Sequence, residues 1–208
     1  METAVLIWLP DLLHKEYSAA QTKRDPVAAF SQEVAPGFYI TYESEGGISM
    51  RRKDREVTQI EEQLAILDQC KVCRVALQDK QGLYLVPLNF GYLREKDTPI
   101  FYFHSANFGK KLDLIRQNPL VGFELDTKHQ LSVGNTACNY SFYYQSIIGA
   151  GKISIVEEIQ QKKKALQVIM QHYTKTSNWE FSDQSLTAIT ILKLTVTEMT
   201  CKEHQQPR

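Results

Sequence analysis

Residues 100–119 read IFYFHSANFGKKLDLIRQNP and combine a strand pattern with a helix pattern. The run from Ile100 to His104 is rich in aromatic residues, which favour β-strands. Between Asn107 and Gln117 the apolar residues recur at helical spacing, and Pro119 marks the end of that helix. The stretch therefore predicts a strand that leads directly into a helix.

The turn between that strand and that helix carries Gly109, Lys110 and Lys111. The start of a helix offers unpaired backbone N–H groups and the positive end of the helix dipole. Two adjacent lysines add positive charge at the same place. The turn is therefore suited to hold an anion such as a phosphate, although most adjacent lysines on helices are simply solvated surface charges.

Other alternating apolar runs predict further strands on both sides of this stretch. The connection Asp79-Lys80-Gln81-Gly82 is rich in turn formers and predicts an antiparallel hairpin between the first two runs. Gly149 and Gly151 lie within the longest run, where a bulge or tight bend would let the sheet curve. The predicted strands are Val72–Gln78, Leu83–Tyr92, Ile100–His104, Leu120–Asp126, Asn139–Val156 and Ala188–Met199.

Helices are predicted before and between these strands. Thr58 followed by Glu61 has the spacing of a capping box at the start of a short helix. Residues 162–173 carry a helical apolar stripe, whereas residues 127–137 are polar and predict a loop. Antiparallel strands with helices inserted irregularly between them favour a β-barrel with peripheral helices over a doubly wound sheet.

Composition places limits on the class of protein. The 208 residues are 43% hydrophobic, which suffices for one principal domain. The 24 basic and 24 acidic side chains give zero formal charge, which argues against nucleic acid or an anionic membrane as the main partner. No apolar run approaches membrane-spanning length.

The four cysteines lie inside apolar patterns, which fits a reducing cytoplasm better than a secreted disulfide scaffold. Cys70 and Cys73 have a CxxC spacing. No second CxxC or nearby histidine pair completes a zinc site, so buried packing is the better interpretation.

Residues 1–49 open with a short apolar run that ends at Pro10, and the stretch from residue 21 to 49 mixes prolines and glycines with scattered aromatics and shows no sustained period. Their start lacks the basic residues of an export signal. Met50 opens a more ordinary sequence, and Glu45-Gly46-Gly47 just before it can be encoded by a purine-rich ribosome-binding sequence. We therefore expect a domain of residues 50–208. Residues 1–49 are either translated leader upstream of the natural start or a genuine dimer arm or lid.

The order of five segments carries a resemblance to a known family. It resembles the FMN-binding split barrels related to pyridoxamine 5'-phosphate oxidase, and within them most closely the nitroimidazole-resistance (Nim) branch. The resemblance covers about residues 50–200. The segments are CRVALQD at 73–79, LYLVPLNFGY at 83–92, the stretch at 100–119, VGFELD at 121–126 and YQSIIGAGKI at 144–153.

The resemblance implies a mainly β (α+β) fold, an antiparallel six-stranded split β-barrel with peripheral helices. It also implies a homodimer with the flavin at the interface. True pyridoxamine phosphate oxidases carry a C-terminal tryptophan and arginine pattern that helps to form the substrate site. This chain ends TVTEMTCKEHQQPR at 195–208 and lacks that pattern, which disfavours vitamin B6 oxidation.

The resemblance further implies which residues contact the flavin. Arg74, Lys110 and Lys111 would hold the phosphate; an arginine in an apolar strand needs a partner unless strand alternation turns it outward. His104 would position an electron-poor substrate or donate a proton, unless it is merely structural. The other implied contacts are Phe103 and Ser105 along the ribityl chain or ring, the backbone of Val75, Ala76 and Leu77 at the ring edge, Gln145 or Ser146 from a later strand, and Trp179 as a cover or as a core or interface residue.

The implied activity is that of an FMN-dependent oxidoreductase. A nicotinamide donor would reduce the flavin, and the flavin would reduce a small electrophile such as a nitro-aromatic or a quinone. The alternative is a non-catalytic protein that binds FMN or haem, with His104 as an axial haem ligand. Deazaflavin cofactors also occur in such barrels.

Overall fold

The computed structural model describes residues 52–95 and 98–205, so the predictions for residues 1–49 lie outside the described residues. Two short 3-10 helices, Lys53–Arg55 and Ala137–Asn139, accompany the main elements. The strands are β1 (Cys73–Asp79), β2 (Gly82–Leu88), β3 (Phe90–Glu95), β4 (Thr98–Ala106), β5 (Leu120–Ser132), β6 (Ser141–Val156) and β7 (Ile189–His204). The helices are α1 (Ile60–Leu67), α2 (Lys110–Gln117), α3 (Ile159–Thr174) and α4 (Asp183–Thr187).

All neighbouring strands pair antiparallel in one sheet of order β2-β1-β5-β6-β7-β4-β3. This confirms the mainly β, antiparallel class and the hairpin of β1 with β2. The expected count of six strands is wrong, because the described part of the chain forms seven. Within that part the sheet is not closed, and β2 and β3 are its edges.

The seventh strand arises because the run at 83–92 is split at Asn89. Tyr173 of α3 holds the chain at this point: its hydroxyl accepts from the Phe90 N–H at 3.1 Å and from Asn89 Nδ2 at 3.2 Å. The same hydroxyl donates to the Lys71 carbonyl at 2.6 Å. Strand β2 therefore pairs with β1, whereas β3, which follows the bend, pairs with β4.

Helix α3 lies against β3 at Gly91. A Cβ on Gly91 would stand 2.5 Å from the Val168 carbonyl oxygen and 2.6 Å from the Ile169 backbone. Glycine is thus required for this close approach. The contact brings Ile169 of α3 into a small apolar cluster with Ile191 of β7.

The two faces of the sheet have different surroundings. The core face carries Val75, Leu77, Phe101 and Phe123, and the apolar side chains of α1 and α2 pack against it. We call the face that carries Arg74 the outer face. Helix α3 covers the outer face over β3 and β4, and no other described helix packs on it over β2, β1, β5 and β6.

Strands β5 and β6 each contain one irregularity in their pairing with a neighbouring strand. The predicted loop at 127–137 is wrong in its first half, because β5 continues to Ser132 with a register shift between Thr127 and Gln130. The bulge expected in β6 is confirmed by a register shift between Ala150 and Gly151 against β7. A Cβ on Gly151 would lie 2.4 Å from the Thr195 carbonyl oxygen, so the strands meet too closely for a side chain there.

Helix boundaries follow local capping chemistry only in part. The capping box at Thr58 is wrong: α1 begins after Gln59 with no side-chain cap, and Glu61 instead pairs with Arg94 at 2.9 Å. Helix α3 begins earlier than predicted because the Glu158 carboxylate accepts from two N–H groups of its first turn at 2.7 Å. No helix in the described ranges is long and apolar enough to cross a bilayer.

Candidate functional site

The turn between β4 and α2 leaves a helix start open. Gly109 precedes the first helical residue with φ 128° and ψ 162°, a conformation that favours glycine, and a Cβ there would meet open space. No side chain of the described residues caps the N–H groups at the start of α2. The predicted start at Asn107 is wrong, because the helix begins at Lys110. The open N–H groups therefore belong to Lys110 and its neighbours.

Asn107 fixes the shape of this turn. Its Nδ2 donates to the Thr187 carbonyl at 2.7 Å, and its Oδ1 accepts from Thr190 Oγ1 at 2.9 Å. The turn is thereby tied to α4 and to the start of β7. Sequence reasoning missed Asn107, because its partners lie 80 and 83 residues away in the chain and no local motif identifies them.

The two lysines of the turn differ in their partners. Lys110 Nζ lies 2.6 Å from Asp79 Oδ2 and 5.0 Å from the centre of the Tyr84 ring. The hydrogen bond from Lys110 lowers the pKa of Asp79 below its ordinary value. Lys111 is half-buried and makes no ion pair with any described residue. Lys111 is thus the cation of the turn whose charge is not already matched.

Arg74 stands on the outer face between two carboxylates. Its Nη1 donates to Glu124 Oε2 at 2.8 Å and to Asp126 Oδ1 at 2.7 Å. Strand alternation turns the side chain outward, with 44% of it exposed. The other carboxylate oxygen of Asp126 lies 3.0 Å from His129 Nε2. The partner that a charged residue in an apolar strand needs is supplied by β5.

The structure does not bring the predicted phosphate ligands together in one chain. Lys110 binds Asp79, which lies five residues beyond Arg74 along β1, a strand distance of about 17 Å. Alternation also assigns Arg74 and Asp79 to opposite faces. His104 is exposed on the outer face, but β4 is four strands away from β1. A single site that uses all of these residues is not formed within the described chain.

Most of the residues of β1 and β4 that were predicted to contact the flavin are engaged in strand pairing or buried in the core. Val75 and Leu77 bury their side chains in the core, and their backbone pairs with β2 on one side and β5 on the other. Ala76 is half-buried on the outer face. Phe103 is fully buried beside Phe101, and the hydroxyl of the buried Ser105 donates to the next carbonyl at 3.0 Å. Flavin contact by these five predicted residues stays a prediction.

Strand register distinguishes the alternatives Gln145 and Ser146. Gln145 lies on the core face, 4% exposed, and its Nε2 donates to Glu203 Oε2 at 3.0 Å. Its Oε1 is buried without a hydrogen-bond donor among the described residues. Ser146 pairs with Asp126 on one side and Lys202 on the other, on the outer face with Arg74. Ser146 is therefore the one of the two that shares a surface with Arg74.

Trp179 lies in the connection between α3 and α4. Its backbone N–H donates to Gln167 Oε1 at 3.0 Å, and its carbonyl accepts from the amide of the same side chain. Trp179 as a whole is 40% exposed. Neighbouring Phe181 packs in the small apolar cluster under α3. The segment is thus anchored to α3, and the indole is left accessible.

The open part of the outer face exposes large apolar side chains. Leu83 and Leu85 of β2, Leu120 of β5 and Ile148 of β6 are 73%, 62%, 64% and 48% exposed. We call these four residues the outer apolar patch. Several large apolar side chains exposed on one face of a sheet favour a partner there, so the patch marks a candidate interface.

Three of the four cysteines behave as buried packing residues, as predicted for the CxxC pair, whereas Cys138 is exposed. Cys70, Cys73 and Cys201 are at most 1% exposed, and burial raises the pKa of each thiol. No group of three or more metal-ligating side chains is assembled within residues 52–95 and 98–205.

A buried histidine belongs to α3, away from the turn. His172 Nε2 is 2.8 Å from the Cys70 carbonyl, so that nitrogen carries the proton. Its ring packs 4.5 Å from the Phe90 ring, between centres. Burial lowers the pKa of His172 below its ordinary value. The residue borders a cleft of about 370 Å³ that also includes Asp68 and Tyr92.

Comparisons with known proteins agree with this architecture. A model of the family described as pyridoxamine 5'-phosphate oxidase matches residues 59–203. A solved structure from Bacteroides thetaiotaomicron, described as a candidate 5-nitroimidazole antibiotic resistance protein, is 30% identical. The alignment covers 71% of this chain and 86% of that one, with a TM-score of 0.62.

Two more distant structures share the fold. The flavocytochrome Anf3 from Azotobacter vinelandii is 17% identical with a TM-score of 0.63, covering 76% of this chain and 73% of its own. An FAD and heme binding protein from Mycobacterium smegmatis is 16% identical with a TM-score of 0.64, covering 73% and 74%. Among curated proteins the search found no match. The family match spans more than two thirds of the sequence, and the chain belongs to the pyridoxamine 5'-phosphate oxidase family.

Proposed function

We propose that this protein is an FMN-dependent oxidoreductase that takes electrons from a nicotinamide donor and reduces small electrophiles such as nitro-aromatics. The family supports a flavin, and the relative at 30% identity is described as a candidate 5-nitroimidazole antibiotic resistance protein. Two neighbours of the same fold are described as a flavocytochrome and as an FAD and heme binding protein. The finer description of the sheet as a split barrel is part of the same proposal.

The observation that carries the proposal is the open helix start after Gly109. A phosphate needs N–H donors, positive charge and room for close approach. The uncapped N–H groups of α2 supply the donors, Lys111 supplies a cation without an ion pair among the described residues, and Gly109 leaves space. Lys110 would contribute after exchanging its bond to Asp79. These features fit the phosphate of FMN.

When bound, FMN supplies the redox chemistry, and the protein binds, orients and protects it. His104 is exposed on the outer face and makes no hydrogen bond to a described residue. Its imidazole is free to orient a substrate or to hold a proton that an electrophile takes up on reduction. Trp179 is an accessible aromatic that can shield the site from water.

We also propose that the working form is a homodimer. The predicted ligands lie apart in one chain, on β1, on β4 and at the start of α2. A second copy that covers the outer apolar patch would bury its four large side chains and could complete the site. The three buried thiols support a reducing cytoplasm as the compartment.

The alternative is a non-catalytic protein that binds FMN or haem. The exposed His104 supports the haem-binding alternative, because an imidazole without a hydrogen-bond partner can also serve as an axial haem ligand.

An absorption spectrum of the purified protein with added FMN tests the proposal. The enzyme should show flavin bands in the near-UV and blue that bleach with a reduced nicotinamide and recover with a nitro-aromatic or a quinone. Flavin bands that do not bleach with a reduced nicotinamide would indicate a non-catalytic flavin-binding protein. A dominant Soret band would favour the haem alternative and contradict the proposal.

A further inference from the structure

We propose that the cleft beside His172 binds a small zwitterion, namely a free α-amino acid with an aliphatic side chain. In this assignment His172 and Asp68 accept hydrogen bonds from the ammonium group of the ligand, and Lys175 attracts its carboxylate. None of the residues that line the cleft belongs to the β4–α2 turn. The inference therefore goes beyond the proposed function and does not depend on it.

The cleft has the size of a site for a small molecule. Its volume is about 370 Å³, which lies in the range of about 300–1,000 Å³ that is usual for ligand pockets. One stripe of α3 and its C-terminal cap lines it with Val168, Gln171, His172 and Lys175. The rest of the lining comes from β3 and from Asp68, which directly follows α1. Three elements thus contribute to one concave surface.

His172 presents a hydrogen-bond acceptor that the fold does not use. The residue is 6% exposed, and within the described chain its ring makes one hydrogen bond, from Nε2 to the Cys70 carbonyl at 2.8 Å. That bond places the proton on Nε2 and leaves a lone pair on Nδ1. Burial lowers the pKa of His172, so the ring is neutral at neutral pH.

The free nitrogen of His172 is open to the cleft. In the described ranges, the fully buried side-chain nitrogens and oxygens that lack a partner are Gln145 Oε1 and Thr200 Oγ1. Nδ1 of His172 is not among them, so it is not sealed in the core. The open space that His172 borders is the cleft, and a donor bound there can reach Nδ1.

Asp68 adds a negatively charged acceptor to the same cleft. Its Oδ1 accepts from the Tyr92 hydroxyl at 2.8 Å, and the centre of the Tyr92 ring lies 6.0 Å from that of His172. Oδ2 of Asp68 makes no hydrogen bond to a described residue. An ammonium group has three N–H donors and can bind a neutral imidazole and a carboxylate together.

Lys175 supplies the positive charge. It lies three positions beyond His172, is exposed, and forms no ion pair with the residues that the structure describes. Arg94 also borders the cleft, but its guanidinium pairs with Glu61 at 2.9 Å. Lys175 is therefore the residue to which a carboxylate in the cleft is assigned.

These charges favour a zwitterion over a simple acid or a simple amine. A simple carboxylic acid would be attracted by Lys175 and repelled by Asp68, and a simple amine would meet the opposite combination. An amino acid carries both charges on one carbon and complements both residues. The partly buried Leu93 and the buried Val168 supply apolar lining, which suits an aliphatic side chain.

Titration calorimetry with L-leucine and two analogues tests the proposal on the full chain. The analogue 4-methylpentanoate lacks the amino group, and 3-methylbutylamine lacks the carboxylate. L-leucine should bind at least about tenfold more tightly than either analogue, because each of them loses one charge-assisted contact. Absence of L-leucine binding, or equal affinity for L-leucine and 4-methylpentanoate, would overturn the proposal.

Variants assign the contacts to residues. His172→Gln keeps a donor for the Cys70 carbonyl, removes Nδ1 and should weaken L-leucine about tenfold. Lys175→Gln should weaken L-leucine by a similar factor and should not weaken 3-methylbutylamine. Lys152→Gln, which removes an exposed lysine from β6, is the matched control and should bind as the wild type does. Unchanged affinity for L-leucine in Lys175→Gln would contradict the assigned carboxylate contact.

A spectroscopic readout in the wild type does not depend on the folding of a variant. In ¹⁵N NMR spectra the Nδ1 resonance of His172 should shift when L-leucine is added, because this nitrogen accepts a new hydrogen bond. The Nε2 resonance should change much less, since its bond to the Cys70 carbonyl is kept. An unchanged Nδ1 resonance at saturating L-leucine, or undiminished binding by a folded His172→Gln, would remove His172 from the site and overturn the proposal.

Discussion

Replacement of Gly91 by alanine tests the close contact between α3 and β3. The added Cβ would stand 2.5 Å from the Val168 carbonyl oxygen and 2.6 Å from two backbone atoms of Ile169. Ordinary contacts of this kind are about 3.5 Å, so α3 would have to retreat by roughly 1 Å. Because the obstacle is helix backbone, no side-chain rotation relieves the clash.

The cost follows from what α3 buries. Its retreat would loosen the packing of Ala165, Leu166 and Ile169 against Ile191. Overpacking of a dense interior costs about 1–3 kcal/mol, and a backbone clash belongs at or above the upper end. We therefore expect the free energy of unfolding to fall by about 3 kcal/mol, which lowers the melting temperature by roughly 10 °C for a domain of this size.

Gly122→Ala is the matched control, since it also adds one methyl group to a strand glycine. Its Cβ would meet Ala76 Cβ and the Gly149 carbonyl oxygen at 3.9 Å, which is ordinary contact. Urea unfolding followed by circular dichroism should show a change within about 0.5 kcal/mol or a small gain for this variant. Equal stability of the Gly91 and Gly122 variants would refute the close seating of α3 on β3.

Three further outcomes are expected. The folded-state pKa of His172 is lowered, so the unfolded state binds the proton more tightly than the folded state does. The free energy of unfolding should therefore fall as the pH drops from about 6.5, the ordinary pKa of histidine, through the lower folded-state pKa. Urea unfolding of His172→Gln should not show this pH dependence. In ¹³C NMR titrations the pKa of Asp79 should lie below its ordinary value and return towards it in Lys110→Ala, whereas an unchanged pKa would contradict the ion pair. Tyr173→Phe should cost about 1–3 kcal/mol, because it removes the hydroxyl that binds the Lys71 carbonyl and two donors; a change below 0.5 kcal/mol, roughly the surface level, would contradict that role.

Local patterns in the sequence were sufficient for most elements. Alternation of apolar residues located β1, β6 and β7, because each of these strands buries one face against the core. The boundary between β2 and β3 was missed, because the residue that divides them is Tyr173, more than 80 positions later. No local signal at Asn89 distinguishes a bend from a continuing strand.

The candidate site was predictable in its residue types and much less so in its geometry. Gly109 and Lys111 stand at an open helix start as the pattern indicated. The carboxylates that hold Arg74 come from β5, 50 and 52 residues away, and only strand pairing brings them together. The register of β6 decides whether Gln145 or Ser146 faces outward, and a shift of one residue would exchange the two.

Equilibrium binding of FMN at the β4–α2 turn tests the central claim most directly. FMN is titrated into the wild type, Lys110→Ala/Lys111→Ala and the control Lys163→Ala/Lys164→Ala, which removes an adjacent lysine pair from α3. The turn variant should lose about 10- to 100-fold in affinity, as expected for one or two charge-assisted hydrogen bonds, while the control binds as the wild type does. Equal affinities in all three proteins, or no binding of FMN by the wild type, would contradict the account.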